Sequence, residues 1–120
     1  MKEELLHLVW KLKRFNLHNL LTTSGDVINI VNFGVHNHDA GPDFLNATVK
    51  IGNQIWVGHV EMHTSASEWI SHKHQFDPAY NSVILHVVYE NNAIVKTQSG
   101  QTMPTLILKD RIEESLITDY

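Results

Sequence analysis

The chain has 120 residues, 42% of them apolar and 18% charged, the size and balance of one globular domain that buries a core rather than of a disordered segment. With no cysteine, disulfides and thiolate metal sites are excluded, a cytoplasmic compartment is favoured, and any metal must be held by His, Asp, Glu or backbone oxygen. The net charge of −4 argues against a broad phosphate-binding surface, no apolar run nears the roughly 20 residues that span a bilayer, and MKEELLHLVW lacks the small-residue cleavage site of a leader.

Residues 2–15 (KEELLHLVWKLKRF) place Leu5, Leu6, Leu8, Val9, Leu12 and Phe15 at helical spacing, with acids at the start and bases at the end, as the helix dipole favours. After a polar turn at 22–25, VINIVNF alternates as a first strand, and GVHNHDAGP (34–42) reads as a loop. Residues 44–51 and 54–62 form a hairpin about Gly52-Asn53, a pair that tolerates positive φ. Ser65 with Glu68 three residues on matches a capping box, so a short helix is expected through Trp69 to about His74, ended by Asp77-Pro78.

SVILHVVY is a continuous β-branched run, the pattern of a strand buried on both faces, which makes His86 a core histidine with a hydrogen-bond partner. Glu90-Asn91-Asn92 turns the chain into a strand AIVKT, Thr105 to Leu108 adds a last strand, and KDRIEESLITDY begins another helix. Trp10, Trp56 and Trp69 are read as core aromatics. The fold class is α/β (α+β), one domain over residues 1–120 with a helix, strand, hairpin, helix, strand core and a mixed central sheet.

Six of the nine histidines lie between His36 and His74. On the second hairpin strand His59, Glu61 and His63 alternate onto one face, and carboxylate with imidazole is the ligand set for a divalent cation in a cysteine-free chain. Asp43 joins them only if the hairpin register allows it. A two-residue turn pairs Ile51 with Gln54 and sets Asp43 against Met62, on the wrong face, whereas one bulge pairs Asp43 with His63. His36, His38 and Asp39 are candidate supporting residues in the preceding loop, and His72 and His74 suit a helix C-terminus without any function.

Pro42-Asp43, a hairpin, Glu61-x-His63 at the end of its second strand, then a helix and a buried strand resemble the PD-(D/E)xK nuclease core over roughly residues 1–90. The resemblance implies a restriction-endonuclease-like fold in which Asp43, Glu61 and the Met62 carbonyl hold Mg²⁺ or Mn²⁺, with DNA or RNA as substrate. His63 stands where that motif has lysine, and Asp43, Glu61 and His63 are the implied catalytic set. HNHDAGPDFLNATVKI, WVGHVEMHTSASEW and NSVILHVV also resemble a bacterial family of uncharacterised proteins classed as a domain of unknown function. Its members are several times longer, so that resemblance implies an N-terminal piece. Three functions stay open: a nuclease-like hydrolase, another metalloenzyme with Zn²⁺ or Fe²⁺ on His59, Glu61 and His63, and a nuclease fold kept for binding or assembly.

Overall fold

The computed structural model describes residues 1–119. In chain order the elements are α1 (Glu3–Lys11), β1 (Ile28–Asn32), β2 (Val35–His36), β3 (Phe44–Ile51), β4 (Gln54–Ser65), α2 (Glu68–Ser71), 3₁₀ turns at His74–Phe76 and Pro78–Tyr80, β5 (Val83–Glu90), β6 (Thr105–Ile107) and α3 (Glu114–Asp119). Tyr120, the end of the tail expected to open a helix, lies outside the described residues.

β1, β3 and β4 pair antiparallel, and β5 and β6 add in parallel, giving the order β1-β3-β4-β5-β6 with β2 also on β3. This is the mixed α+β sheet that the sequence pattern predicts. Leu5, Leu6, Val9 and Trp10 bury one stripe of α1, while Leu8 and Leu12 stay exposed. That stripe packs with Phe44, Ala47, Val49, Val60, Met62, Leu85 and Val87 in the main core. Period-two alternation then turns Glu61, His63 and His86 the other way, toward a smaller core of Trp69, Tyr80, Val83, Val95 and Met103.

His86 is fully buried in β5, as its apolar run predicts, and its partner is His63. AIVKT forms no strand; only Lys96 makes an isolated bridge, to Thr102. β4 runs to Ser65, so α2 starts at Glu68 rather than after Ser65, and only the return half of the capping box forms. Glu68 accepts the Ser65 N–H at 3.0 Å and the Thr64 hydroxyl. Trp10 and Trp69 are buried, but Trp56 lies on the outer part of β4 and is 38% exposed. No helix among the described residues is long and apolar enough to cross a membrane.

The register decides the site. From Ile51 against Gln54 to Ala47 against Gly58 the hairpin follows its two-residue turn, and then β3 inserts one residue so that Phe44 faces Val60. Asn46 supplies the bulge, at φ 58°, and its N–H donates to His59 Nδ1 at 3.2 Å. Continued past Phe44, this register sets Asp43 across from Glu61. The extra residue sits in β3 rather than β4, so the shift runs opposite to the one that would have paired Asp43 with His63.

Asn46→Val should lower stability by roughly 1–2 kcal/mol, because a β-branched residue is strained at positive φ, whereas Asn46→Gly should stay near wild type. Urea unfolding of both variants measures this, and a valine variant as stable as wild type would show that the left-handed bulge does not hold the register.

Candidate metal centre

Asp43 and Glu61 are tied by reciprocal bonds: the Asp43 N–H donates to Glu61 Oε1 at 3.2 Å, and the Met62 N–H donates to Asp43 Oδ2 at 2.8 Å. The two carboxyls feel each other, and their environments pull them apart. Burial and the neighbouring Glu61 charge push Asp43 up. Burial resists ionisation of Glu61 as well, but the His63 and His74 imidazoles beside it, together with Asp43, outweigh it and hold that carboxyl down at about 2.

α1 brings two further groups. Glu3 and His7 are one helical turn apart, so they share a face, and each offers an atom that lies within 4.8 Å of one on Asp43. His7 Nε2 is 3.5 Å from Asp43 Oδ1 and 3.8 Å from Glu3 Oε1, yet it is buried and out of line for a hydrogen bond with either. Burial works against protonating His7, and Asp43 with Glu3 more than offsets it, so the imidazole is raised. Burial also raises Glu3, with Asp43 adding to it. A buried nitrogen aimed among carboxylates without a partner is the donor geometry a cation completes.

A second set lies on the other side of Glu61. Its Oε2 is 2.9 Å from His74 Nε2 and 3.2 Å from His63 Nε2. His63 Nδ1 shares a proton with His86 Nε2 at 2.8 Å, and His86, pushed by burial down to about 3, is neutral. His63 is thus enclosed, with both ring nitrogens facing protein groups rather than solvent.

The structure separates the other candidates. His59 braces the Asn46 bulge and joins neither cluster, so the face-sharing row His59, Glu61, His63 does not act as one ligand set. His36 stacks on Phe44 at 4.7 Å and meets the His7 ring edge at 5.2 Å, with His38 against it at 4.3 Å, which makes this pair a wall beside His7. Asp39 is exposed, its N–H donating to Asn37 Oδ1 at 3.1 Å. Met62 buries its side chain in the main core and orients Asp43 through its N–H. Sequence reasoning missed Glu3 and His7, whose one signal was their i, i+4 spacing, and gave His74 no role.

The chain belongs to a family of proteins of unknown function (DUF2851), which it matches over residues 3–120. No curated protein and no solved structure matches it.

The opposed carboxyls give a test. Glu61, held below its ordinary 4.5, adds stability that is present above that value and lost as pH falls toward about 2. Asp43, raised above its ordinary 3.8, does the reverse, so its charge burdens the fold once pH exceeds its raised value. At pH 7 in chelator, Asp43→Asn should therefore raise the melting temperature and Glu61→Gln lower it, each by a few °C. Equal losses for both would mean that Asp43 is a structural residue only.

Proposed function

We propose that this chain carries a divalent-cation-dependent hydrolytic centre that cleaves phosphodiester bonds in DNA or RNA, with Asp43 and Glu61 as its core. The observation that supports it most is the Asn46 bulge, which delivers Asp43 to Glu61 where the hairpin turn alone would have sent it to the opposite face. The strand order, with an antiparallel hairpin that carries the acids followed by a parallel buried strand, agrees with the restriction-endonuclease-like reading.

The residues fit a cation. Glu3, His7 and Asp43 each offer a donor atom within 4.8 Å of the others, Glu61 adds a carboxylate that accepts from the Asp43 N–H, and the unpartnered Nε2 of His7 is a borderline donor that moves preference from Mg²⁺ toward Mn²⁺. Such an ion, when bound, supplies a Lewis acid and a water of lowered pKa. Asp43 and Glu61 hold and neutralise it, the Met62 N–H fixes the Asp43 rotamer, and Glu3 and His7 close the α1 side. Beside His7 lies a cleft of about 270 Å³ lined by Glu4, His7, Leu8, Lys11, His36 and His38, where Lys11 can meet a phosphate.

Labelled single- and double-stranded DNA and RNA, incubated with Mn²⁺, Mg²⁺ or chelator, test this. Wild type should cut in Mn²⁺ and not in chelator. Asp43→Ala and Glu61→Ala should lose about 100-fold or more, and His7→Ala should raise the Mn²⁺ needed by roughly tenfold. Wild-type protein that binds Mn²⁺ and cuts none of the four substrates would overturn the reading.

A further inference from the structure

We propose that His63, His72 and His74, with Glu61 Oε2, form a second cation site, separate from the Asp43 side and selective for a borderline transition ion such as Zn²⁺. It shares only Glu61 with the hydrolytic reading, through the other carboxylate oxygen, and rests on three imidazoles that reading does not use.

The three rings form a near-equilateral triangle: His63 to His72 is 5.2 Å, His63 to His74 is 5.3 Å and His72 to His74 is 5.6 Å between centroids. Three imidazoles around one tetrahedral ion, with nitrogens about 2.0–2.1 Å from it, place their centroids about 5 Å apart. One nitrogen from each ring already lies within 4.8 Å of the others. The ring centroids are therefore at the separations such an ion sets, and side-chain rotation would have to bring the three nitrogens to about 3.3 Å from one another.

The backbone is built for this convergence. His72 caps α2 and His74 opens the next 3₁₀ turn, and Lys73 between them adopts φ 61°, the left-handed region that a lysine rarely enters. This strained residue folds the chain back so that two histidines, two positions apart, both face His63 on β4. Tyr80 stacks on His74 at 3.8 Å and the Trp69 ring edge meets it at 5.3 Å, which holds that imidazole in place.

A second, independent observation points to a ligand. His74 is 8% exposed, and its Nε2 is wholly buried without a hydrogen-bond partner, although Glu61 Oε2 is only 2.9 Å away, because the ring nitrogen is not aimed along that line. His63 has the outer-shell support that metal-bound histidines carry: its Nδ1 pairs with His86 Nε2 at 2.8 Å, and in the tautomer with the proton on Nδ1 the Nε2 lone pair is left for an ion. His72 is exposed, so an ion reaches the triangle from solvent. Imidazole-rich donors with one carboxylate suit Zn²⁺ rather than Mg²⁺.

The test is titration of tag-free, metal-stripped protein with Co²⁺, read by its visible d–d absorption, and competition by Zn²⁺. Wild type should take up one Co²⁺ with the intense bands of a four-coordinate ion, displaced by Zn²⁺. His72→Ala, at an exposed position, should weaken Co²⁺ by roughly tenfold or more, and His74→Ala likewise, with circular dichroism confirming the fold. Asp43→Ala should keep the bands. The proposal is overturned if wild type shows no such bands, if His72→Ala binds like wild type, or if Asp43→Ala abolishes the bands, which would put the ion at the carboxylates. No nucleolytic activity is needed for the readout, so this site and the hydrolytic reading fail separately.

Discussion

Two carboxylates at the end of one hairpin each take a hydrogen bond from the other strand's backbone, and the arrangement of every polar group around them depends on that exchange. Asp43 and its neighbours on β4 meet only because β3 carries one residue more than β4 between Phe44 and Ala47. Side chains alternate with period two, so a single inserted residue moves everything beyond it to the other face. The bulge therefore acts as a switch of face for one aspartate, leaving the apolar pattern of the rest of β3 in register with the main core.

Placing two acids side by side has an electrostatic cost, and the surroundings divide it unequally. Glu61 receives nearly all the compensation, from two imidazoles and a backbone amide, and stays ionised. Asp43 keeps one amide and lies near His7, which is itself raised by the acids around it. Glu61 turns Oε1 toward Asp43 and Oε2 toward His63 and His74, so one carboxylate joins a set of donors from α1 to a set that follows α2. On α1 the donors Glu3 and His7 lie beside the buried apolar stripe, and the second set comes from the turn after α2.

Much of the scaffold was legible because it rests on local signals. The helical stripe of α1, the Gly52-Asn53 turn and the uninterrupted apolar run around His86 all follow from periodicity and turn chemistry. What escaped depends on tertiary contact. Asn46 is of a type that can enter the left-handed region, but inside an apparent strand nothing local says that it does so, since its bulge is secured by the His59 ring across the hairpin. His7 reads as one more polar position on a helix until β3 arrives beneath it, and His74 as a dipole-friendly residue until Lys73 folds the turn back. Trp56 and AIVKT erred in the opposite sense, because apolar composition cannot tell a covered strand from an uncovered outer segment.

The histidine at position 63, where the proposed nuclease-like reading would expect lysine, follows from the same surroundings. His63 is 1% exposed, with an imidazole on one side and a carboxylate on the other. A lysine there would bury a permanent charge, satisfied only by drawing Glu61 wholly to itself and leaving His86 without its one partner. An imidazole meets both neighbours at once, because each of its ring nitrogens donates or accepts according to the tautomer, which an ammonium cannot do. The same reasoning extends to the composition of the whole chain. With a net charge of −4 and nine histidines, donors are gathered around acids without adding fixed positive charge to a buried site. In the proposed centre, an entering ion would meet carboxylates whose charge no lysine has already neutralised, with the attraction of an internal salt bridge left for the metal.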